Sequence, residues 1–450
     1  MADHAALADP RPAPSVGPSL ARHGLALLII LAAGALTFSR ALDIRPFQWD
    51  NVFSMSVAIE PSPWKLVTEP SGGEPAYRPL ALFSIWLQRW SADVDARPYF
   101  LFNQVSWLGC AFALYALAYL LSRSHIAALV SGLALLFDDR ATELLTWIDD
   151  RQTSIAVLGG LLALIVVAAP RRHRWPGAAR FSVFLLLLCA ALGKEYGLAF
   201  SGAAVAFALA SWRERRHDAM WVLLVVGGVA GAYFLLRWGL ARESLSQDFC
   251  QEMSFFRVRV NQQVCLSQMD VGARAAQFAY NSGATLVGTP MPWLFTWTGA
   301  PVWPEFNSWV PVLDILALGL ALIGTIRAHR QTLPLLSLVL FQALLSFMLY
   351  RDRNHLVGAA GLYAAAGIGL AMLLNDLRGT RAARGVAAAM VALLLVVLAL
   401  NARSLARRLD EERKDAMKID PCRWVKDPLV NAETIHRMKL RYGLNNPDCT

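Results

Sequence analysis

Apolar runs recur along almost the whole chain, and this repetition limits what it can fold into more than any other feature. After a first run from Gly24 to about Leu42, others lie near residues 99–121, 126–137, 153–169, 181–193, 197–211, 219–237, 309–326, 332–350, 356–374 and 385–402. Most approach the roughly 20 residues needed to cross a bilayer as a helix, and about eleven candidate spans result. Every backbone polar group in lipid must be bonded within its own segment, so the expectation is an all-α, polytopic membrane protein. Composition agrees. Of 450 residues, 56% are apolar and only 17% charged, against about 45–50% and about 25% in soluble domains.

The net charge of +9 would suit nucleic acid if its cations were clustered. They sit instead in short spacers between apolar runs, so no nucleic-acid role is expected. Arg123; Arg171, Arg172, Arg174 and Arg180; Arg213, Arg215 and Arg216; Arg327 and Arg330; and Arg378, Arg381 and Arg384 occupy alternate connections, which places those loops on the cytoplasmic side. Between them, Asp138 to Gln152 holds five acids against two arginines, and segments 43–98, 238–308 and 403–450 are long. These are expected to face outward. Arg403, Arg407 and Arg408 conflict with an outward tail.

The first 22 residues, rich in Ala and Pro, read as a disordered cytoplasmic tail, and the first apolar run as a retained signal anchor. Residues 23–402 then form the membrane domain, with 43–98 as its first outer loop and 238–308 as an outer interfacial segment. Residues 403–450 form an outer tail. Cys110 and Cys189 fall within spans, whereas Cys250, Cys265, Cys422 and Cys449 lie in the outer segments. An oxidising compartment would let them pair, with short loops favouring Cys250–Cys265 and Cys422–Cys449; free thiols are the alternative.

Two spans, 126–137 and 181–193, are short, so the charges that end them dip toward the membrane: Asp138, Asp139, Arg140 and Glu143, then Asp149, Asp150 and Arg151, and in the second case Lys194 and Glu195. Charge at that depth faces protein or a water-filled cavity and marks a candidate site. The alternatives are solvated charges in a vestibule and, for Lys194 and Glu195, mutual neutralisation. Asp50, between Trp49 and Phe53 in a proline-rich outer loop, is a candidate general base, although such an Asp also serves turns and helix caps. Tyr77, Arg78 and Pro79 open a Trp-rich run that reads as an interfacial helix, in which Arg78 would otherwise only snorkel. His23, His173 and His355 lie near span ends and read as interfacial. No zinc spacing, Gly-rich phosphate loop or serine nucleophile elbow occurs.

Four pieces in order resemble the GT-C superfamily of integral-membrane glycosyltransferases, and most of all the branch of the tetratricopeptide-linked O-mannosyltransferases and their bacterial relatives. They are Trp49-Asp50-Asn51, where that branch has an Asp-Asp pair; Tyr77-Arg78-Pro79-Leu80, matching its YRPL; Thr142-Glu143 with Trp147-Ile148 and Arg151, similar to its TE, WI and R pattern; and Gly193-Lys194-Glu195-Tyr196-Gly197, similar to its KE-x-G. Asn103 also stands where the family has an Asn. The chain departs from the pattern at Asn51, at Asp138-Asp139 in place of a His-Pro, and in having no tetratricopeptide repeats. Tyr350 to His355 loosely resembles a late Arg-Tyr motif.

The resemblance implies an inverting transfer of sugar from a polyprenyl-phosphate donor to an envelope glycan, lipid or protein acceptor, at the periplasmic face of a bacterial inner membrane. In that reading Asp50 is the base. Arg78, Lys194 and Arg353 are candidates for the donor phosphate. Asp139, Glu143, Glu195 and Arg151 orient the acceptor or form a charge network, which is favoured over a divalent metal; no other cofactor is expected. A transporter or flippase of an amphiphilic or lipid-linked substrate is the rival class, and a scaffold without catalysis a third.

Overall fold

The computed structural model describes residues 16–46, 49–59, 62–68, 78–169, 177–240, 250–255, 258–265, 271–287, 309–345, 355–419 and 432–442. Helix α1 (Val16–Phe38) is followed by α2 (Trp49–Ile59), the single turn α3 (Lys65–Thr68), α4 (Pro79–Ala92), α5 (Ala96–Ser122), α6 (His125–Leu136), the short α7 (Thr142–Thr146) and α8 (Arg151–Ala168). Next come α9 (Gly177–Gly193), α10 (Leu198–Ala210), α11 (Arg216–Phe234), a two-stranded hairpin of β1 (Cys250–Phe255) and β2 (Val258–Cys265), and α12 (Val271–Val287). The chain continues through α13 (Val310–Leu345), α14 (Leu356–Asp376), α15 (Arg381–Ala416) and α16 (Ala432–Tyr442). Among the described residues, seven helices are long and apolar enough to span a membrane, and α6, α9 and α10 are shorter apolar helices.

Helix α13 contains two of the expected spans. Ala328 leaves helical geometry (φ −139°, ψ 45°), and a Cβ built on Gly324 would lie 2.9 Å from the Thr332 methyl. Residues eight apart in a straight helix are about 12 Å apart along the axis, so the chain folds back here as a helical hairpin. The connection expected at Arg327–Arg330 is thus a turn at one residue. With α13 counted as two passes, the apolar helical segments among the described residues number eleven, the number the sequence suggests.

Helix α14 is the core of the bundle, apolar on every side and buried from Leu356 to Ala371. Its glycines allow this. A Cβ at Gly369 would collide with the Leu320 carbonyl, and one at Gly361 with that of Leu335, so both arms of the α13 hairpin lie backbone to backbone against α14. Helices α1, α11 and α15 bury much less of their apolar length and form the periphery that lipid would cover.

The structure adds detail to two expectations. Helix α9 extends back to Gly177 through Arg180, whose guanidinium stacks on Trp221 at 4.1 Å, so it reaches about 26 Å and is less short than its uninterrupted apolar run implies. In 238–308, expected as an outer interfacial segment, the described residues form the end of a π-helical turn (Leu235–Leu240), the hairpin and α12. Helix α6 is as short as expected: 12 residues, about 18 Å, against a hydrocarbon core of about 30 Å.

Ion pairs sort the connections into two faces. On one, Arg327 pairs with Asp376 and Arg330 with Glu214, while the His23 Nδ1 and the His125 Nδ1 lie 2.9 and 3.1 Å from the Tyr115 hydroxyl. On the other, Arg40 pairs with Asp410, Arg408 with Asp139, Arg437 with Asp93 and Arg441 with Asp95. Helix α15 has 36 residues, about 54 Å, so it outruns the bilayer and carries Arg403 to Ala416 onto this second face. The end of α15 thus lies with the acidic 138–152 connection, and Arg408, Arg437 and Arg441 are held there by Asp139, Asp93 and Asp95.

Candidate functional site

The second face, called the motif face below, gathers all four sequence motifs. Pro79 begins α4 at its first helical position, and Arg78 just before it reaches across to Glu195, in the turn between α9 and α10. The Arg78 Nε and Nη2 donate to the Glu195 Oε2 and Oε1 at 3.3 and 3.2 Å, a bidentate fork. Side chains 117 positions apart thus join the YRPL-like and KE-x-G-like motifs. The pair keeps some access to solvent, 17% for Arg78 and 26% for Glu195. Lys194 is buried; its Nζ donates to the Thr153 hydroxyl at 3.0 Å and stands 5.3 Å from the Tyr196 ring centre.

Arg151 begins α8 and is fully buried. Its guanidinium donates to the Ile148 carbonyl at 3.1 Å, the Gln88 Oε1 at 2.5 Å and the Tyr99 carbonyl at 3.4 Å, and it lies 4.7 Å over Phe102. These bonds fasten α4 and α5 to the start of α8, so Arg151 braces the wall behind Arg78. A guanidinium suits this buried role because its fork satisfies several acceptors at once.

The segment from α7 to α8 is held by two amides. The Asn103 Nδ2 on α5 donates to the carbonyls of Leu144 and Trp147, at 3.0 and 2.8 Å. Asn51 on α2 accepts from the Ile148 N–H at 2.6 Å and donates to the Thr146 carbonyl at 3.2 Å. Short helix α7 thereby has carbonyls at its C-terminal end satisfied that it cannot satisfy itself. Glu143 lies half-buried in α7. The backbone of Asp50 belongs to the first turn of α2, next to the clasped Asn51, while its side chain lies outside the described residues.

Deeper in the bundle is a cluster that the sequence reading only half found. Asp138 caps the turn before α7 by accepting the Arg140 N–H at 3.0 Å, and also accepts the Arg140 Nε and Nη2 at 2.8 and 2.6 Å. The Arg140 Nη2 lies 3.1 Å from the Asp314 Oδ2 and from the Tyr363 hydroxyl, and that hydroxyl stands 2.7 Å from the Asp314 Oδ1. All four side chains are buried. Asp139 turns the other way, accepting the Ser404 hydroxyl and pairing with the Arg408 Nε, both at 3.2 Å. Asp314 had a signal: it is the lone acid in the run 309–326. Tyr363 had none, since one tyrosine in an apolar helix is unremarkable.

Some candidates stand elsewhere. Arg353, Tyr77, His173, Cys422 and Cys449 lie outside the described residues. His355 is buried rather than interfacial: its Nδ1 lies 2.8 Å from the Thr285 hydroxyl, tying α12 to the start of α14. Cys250 and Cys265 are directly opposed across the antiparallel strands β1 and β2. Among the described residues, no group of three His, Cys, Asp or Glu is placed to hold a metal ion.

The arrangement is a polytopic helical bundle with charged side chains gathered at one face, and solved structures share its fold. The archaeal oligosaccharyltransferase AglB from Archaeoglobus fulgidus, in complex with an inhibitory peptide and a dolichol-phosphate, superposes with a TM-score of 0.52 at 13% identity, over 95% of this chain and 60% of that one. The apo form of the Archaeoglobus fulgidus oligosaccharyltransferase gives 0.51 at 11% identity, over 91% and 59%. The chain thus spans about 60% of the length of the structures it matches. No protein-family model and no curated protein sequence matches it.

Proposed function

We propose that this chain is a GT-C-type glycosyltransferase that moves a sugar, with inversion, from a polyprenyl-phosphate donor to an envelope glycan, lipid or protein acceptor. The observation that carries the reading is the Arg78–Glu195 fork, which unites two motifs of the resembling family on the face where α2 presents Asp50. The fold adds support, since one of the oligosaccharyltransferases that share it binds a dolichol-phosphate.

In this reading Asp50 accepts the proton of the acceptor hydroxyl as that oxygen bonds to the anomeric carbon. The bond from that carbon to the phosphate oxygen breaks, and polyprenyl phosphate leaves with the electron pair. Arg78, Lys194 and Arg353 meet the charge that gathers on the phosphate. Glu195 holds Arg78 oriented, and Arg151 braces the wall behind it. Asp138 and Asp139 already face Arg140 and Arg408, which supports a charge network over a divalent metal. The opposite face carries the short arginine-rich connections, so the motif face is assigned to the periplasm of a bacterial inner membrane. The strand register suits a Cys250–Cys265 disulfide there.

The test is release of polyprenyl phosphate by purified protein in lipid nanodiscs, given a panel of undecaprenyl-phosphate hexoses and pentoses with sugar acceptors. Release from at least one donor is expected, and Asp50→Asn is expected to abolish it while the protein remains folded. Failure of every donor discards the reading, and full turnover by Asp50→Asn discards Asp50 as the base.

A further inference from the structure

Asn51 stands where the resembling branch has its second acid, yet the structure gives it work that an acid cannot do. It is fully buried, and its two partners fix which way its amide points. A backbone N–H only donates and a carbonyl only accepts, so the oxygen faces Ile148 and the nitrogen faces Thr146. Aspartate would keep the bond from Ile148 and set a buried carboxylate against the Thr146 carbonyl. A buried polar group left in that state costs about 1–3 kcal/mol, more when charged.

We propose that Asn51 is a positioning residue: its carboxamide locks the first turn of α2 onto the turn that follows α7, and so sets the place of the Asp50 backbone relative to Glu143, Trp147 and Ile148. The proposal rests on the glycosyltransferase reading for its functional half only. Four backbone groups between Leu144 and Ile148 are held by Asn51 and Asn103 together, from helices that do not adjoin in sequence. That segment carries the WI-like motif and directly follows the TE-like one. The single amide at position 51 thus turns two adjacent motif positions into one reactive group and one fastener. It follows that restoring the acidic pair would impair this chain rather than improve it.

The experiment uses the full-length protein in nanodiscs with Asn51→Ala and Asn51→Asp, the second keeping half of the clasp. Hydrogen exchange of peptides covering 49–56 and 144–150 is expected to quicken by about tenfold or more in both variants, with α14 unchanged. With an undecaprenyl-phosphate sugar that wild type turns over, kcat is expected to fall about 10- to 100-fold at little change in donor KM. In an Asp50→Asn background, Asn51→Ala is expected to quicken exchange at 49–56 as much as it does alone, because the clasp is made by the Asn51 amide and not by the Asp50 carboxylate. Unchanged exchange at 49–56, unchanged kcat beside an inactive Asp50→Asn, or faster turnover by Asn51→Asp would each overturn the proposal. If wild type turns over no donor, the function reading fails, and the exchange arm alone decides the clasp.

Discussion

The two faces differ in their charge: both carry exposed pairs, such as Arg330–Glu214 on one and Arg437–Asp93 on the other, and the motif face also buries a cluster. On the face opposite the motifs, Arg327–Asp376 and Arg330–Glu214 join neighbouring connections while all four side chains stay about half exposed. On the motif face, Arg140 and Asp138 are 4% and 0% exposed and connect to α13 and α14. Exposed pairs contribute about 0–1 kcal/mol each, so the first set orients the chain in the membrane without holding it together. Buried pairs are different, because removing one partner leaves the other uncompensated in a low dielectric. Charge that only sorts loops can be lost singly; charge buried between helices cannot.

The sharpest way to break this contrast is Arg140→Met. It leaves Asp138 and Asp314 facing one another around Tyr363, and a loss of about 3–5 kcal/mol is expected, read as a large fall in melting temperature in detergent. Asp314→Asn is expected to cost less than Asp138→Asn, since only Asp138 takes the Arg140 fork and caps the turn as well. Equal losses would show that the cluster has no such hierarchy.

The Arg78–Glu195 fork sits between the two extremes. Its partial exposure limits its contribution to stability, while its position makes it central to the proposed site. Arg78→Ala and Glu195→Gln are each expected to reduce turnover at least tenfold while shifting the melting temperature little. The double variant is expected to lose less than the product of the two, because each acts through the other. Multiplicative losses would separate the two motifs and remove the observation on which the function proposal leans.

The extent to which this was legible follows the same contrast. The apolar runs and the loop arginines are local signals, so the spans and the two faces can be read residue by residue along the sequence. Lys194 and Glu195 were visible because charge ending a short apolar run is conspicuous, and Arg78 because it opens a Trp-rich run within a YRPL-like motif. Their partners were not: the fork joins positions far apart, and no period or spacing encodes such a contact. Asn51 looked like a defect in an acidic pair until its amide was seen bonding the Thr146 and Ile148 backbone. Arg408 in α15 looked like a topological error for the same reason, since Asp139, which receives it, is identified only by the fold.

That arginine gives the next smaller effect. Arg408 is about a quarter exposed and its partner Asp139 is buried. Arg408→Ala is expected to destabilise the protein by about 1–3 kcal/mol, because the Ser404 hydroxyl would remain as a donor to Asp139. Proteolysis should then begin within α15 beyond residue 402, ahead of any cleavage in the membrane bundle. Resistance equal to that of wild type would mean that the tail is held by other contacts, of which Arg437–Asp93 and the Tyr442 hydroxyl on the Val94 carbonyl are the candidates.

The smallest effect is expected at Arg330. Removing its side chain leaves Glu214 in solvent, so Arg330→Ala should change stability by less than about 1 kcal/mol, and added salt should erase the difference. The informative comparison is with Arg140→Met at the same salt, whose deficit should persist because water and ions do not reach the buried cluster. If both deficits vanished together at high salt, the Asp138–Arg140–Asp314 group would be as accessible as a loop, and the contrast between buried and exposed pairs would fail.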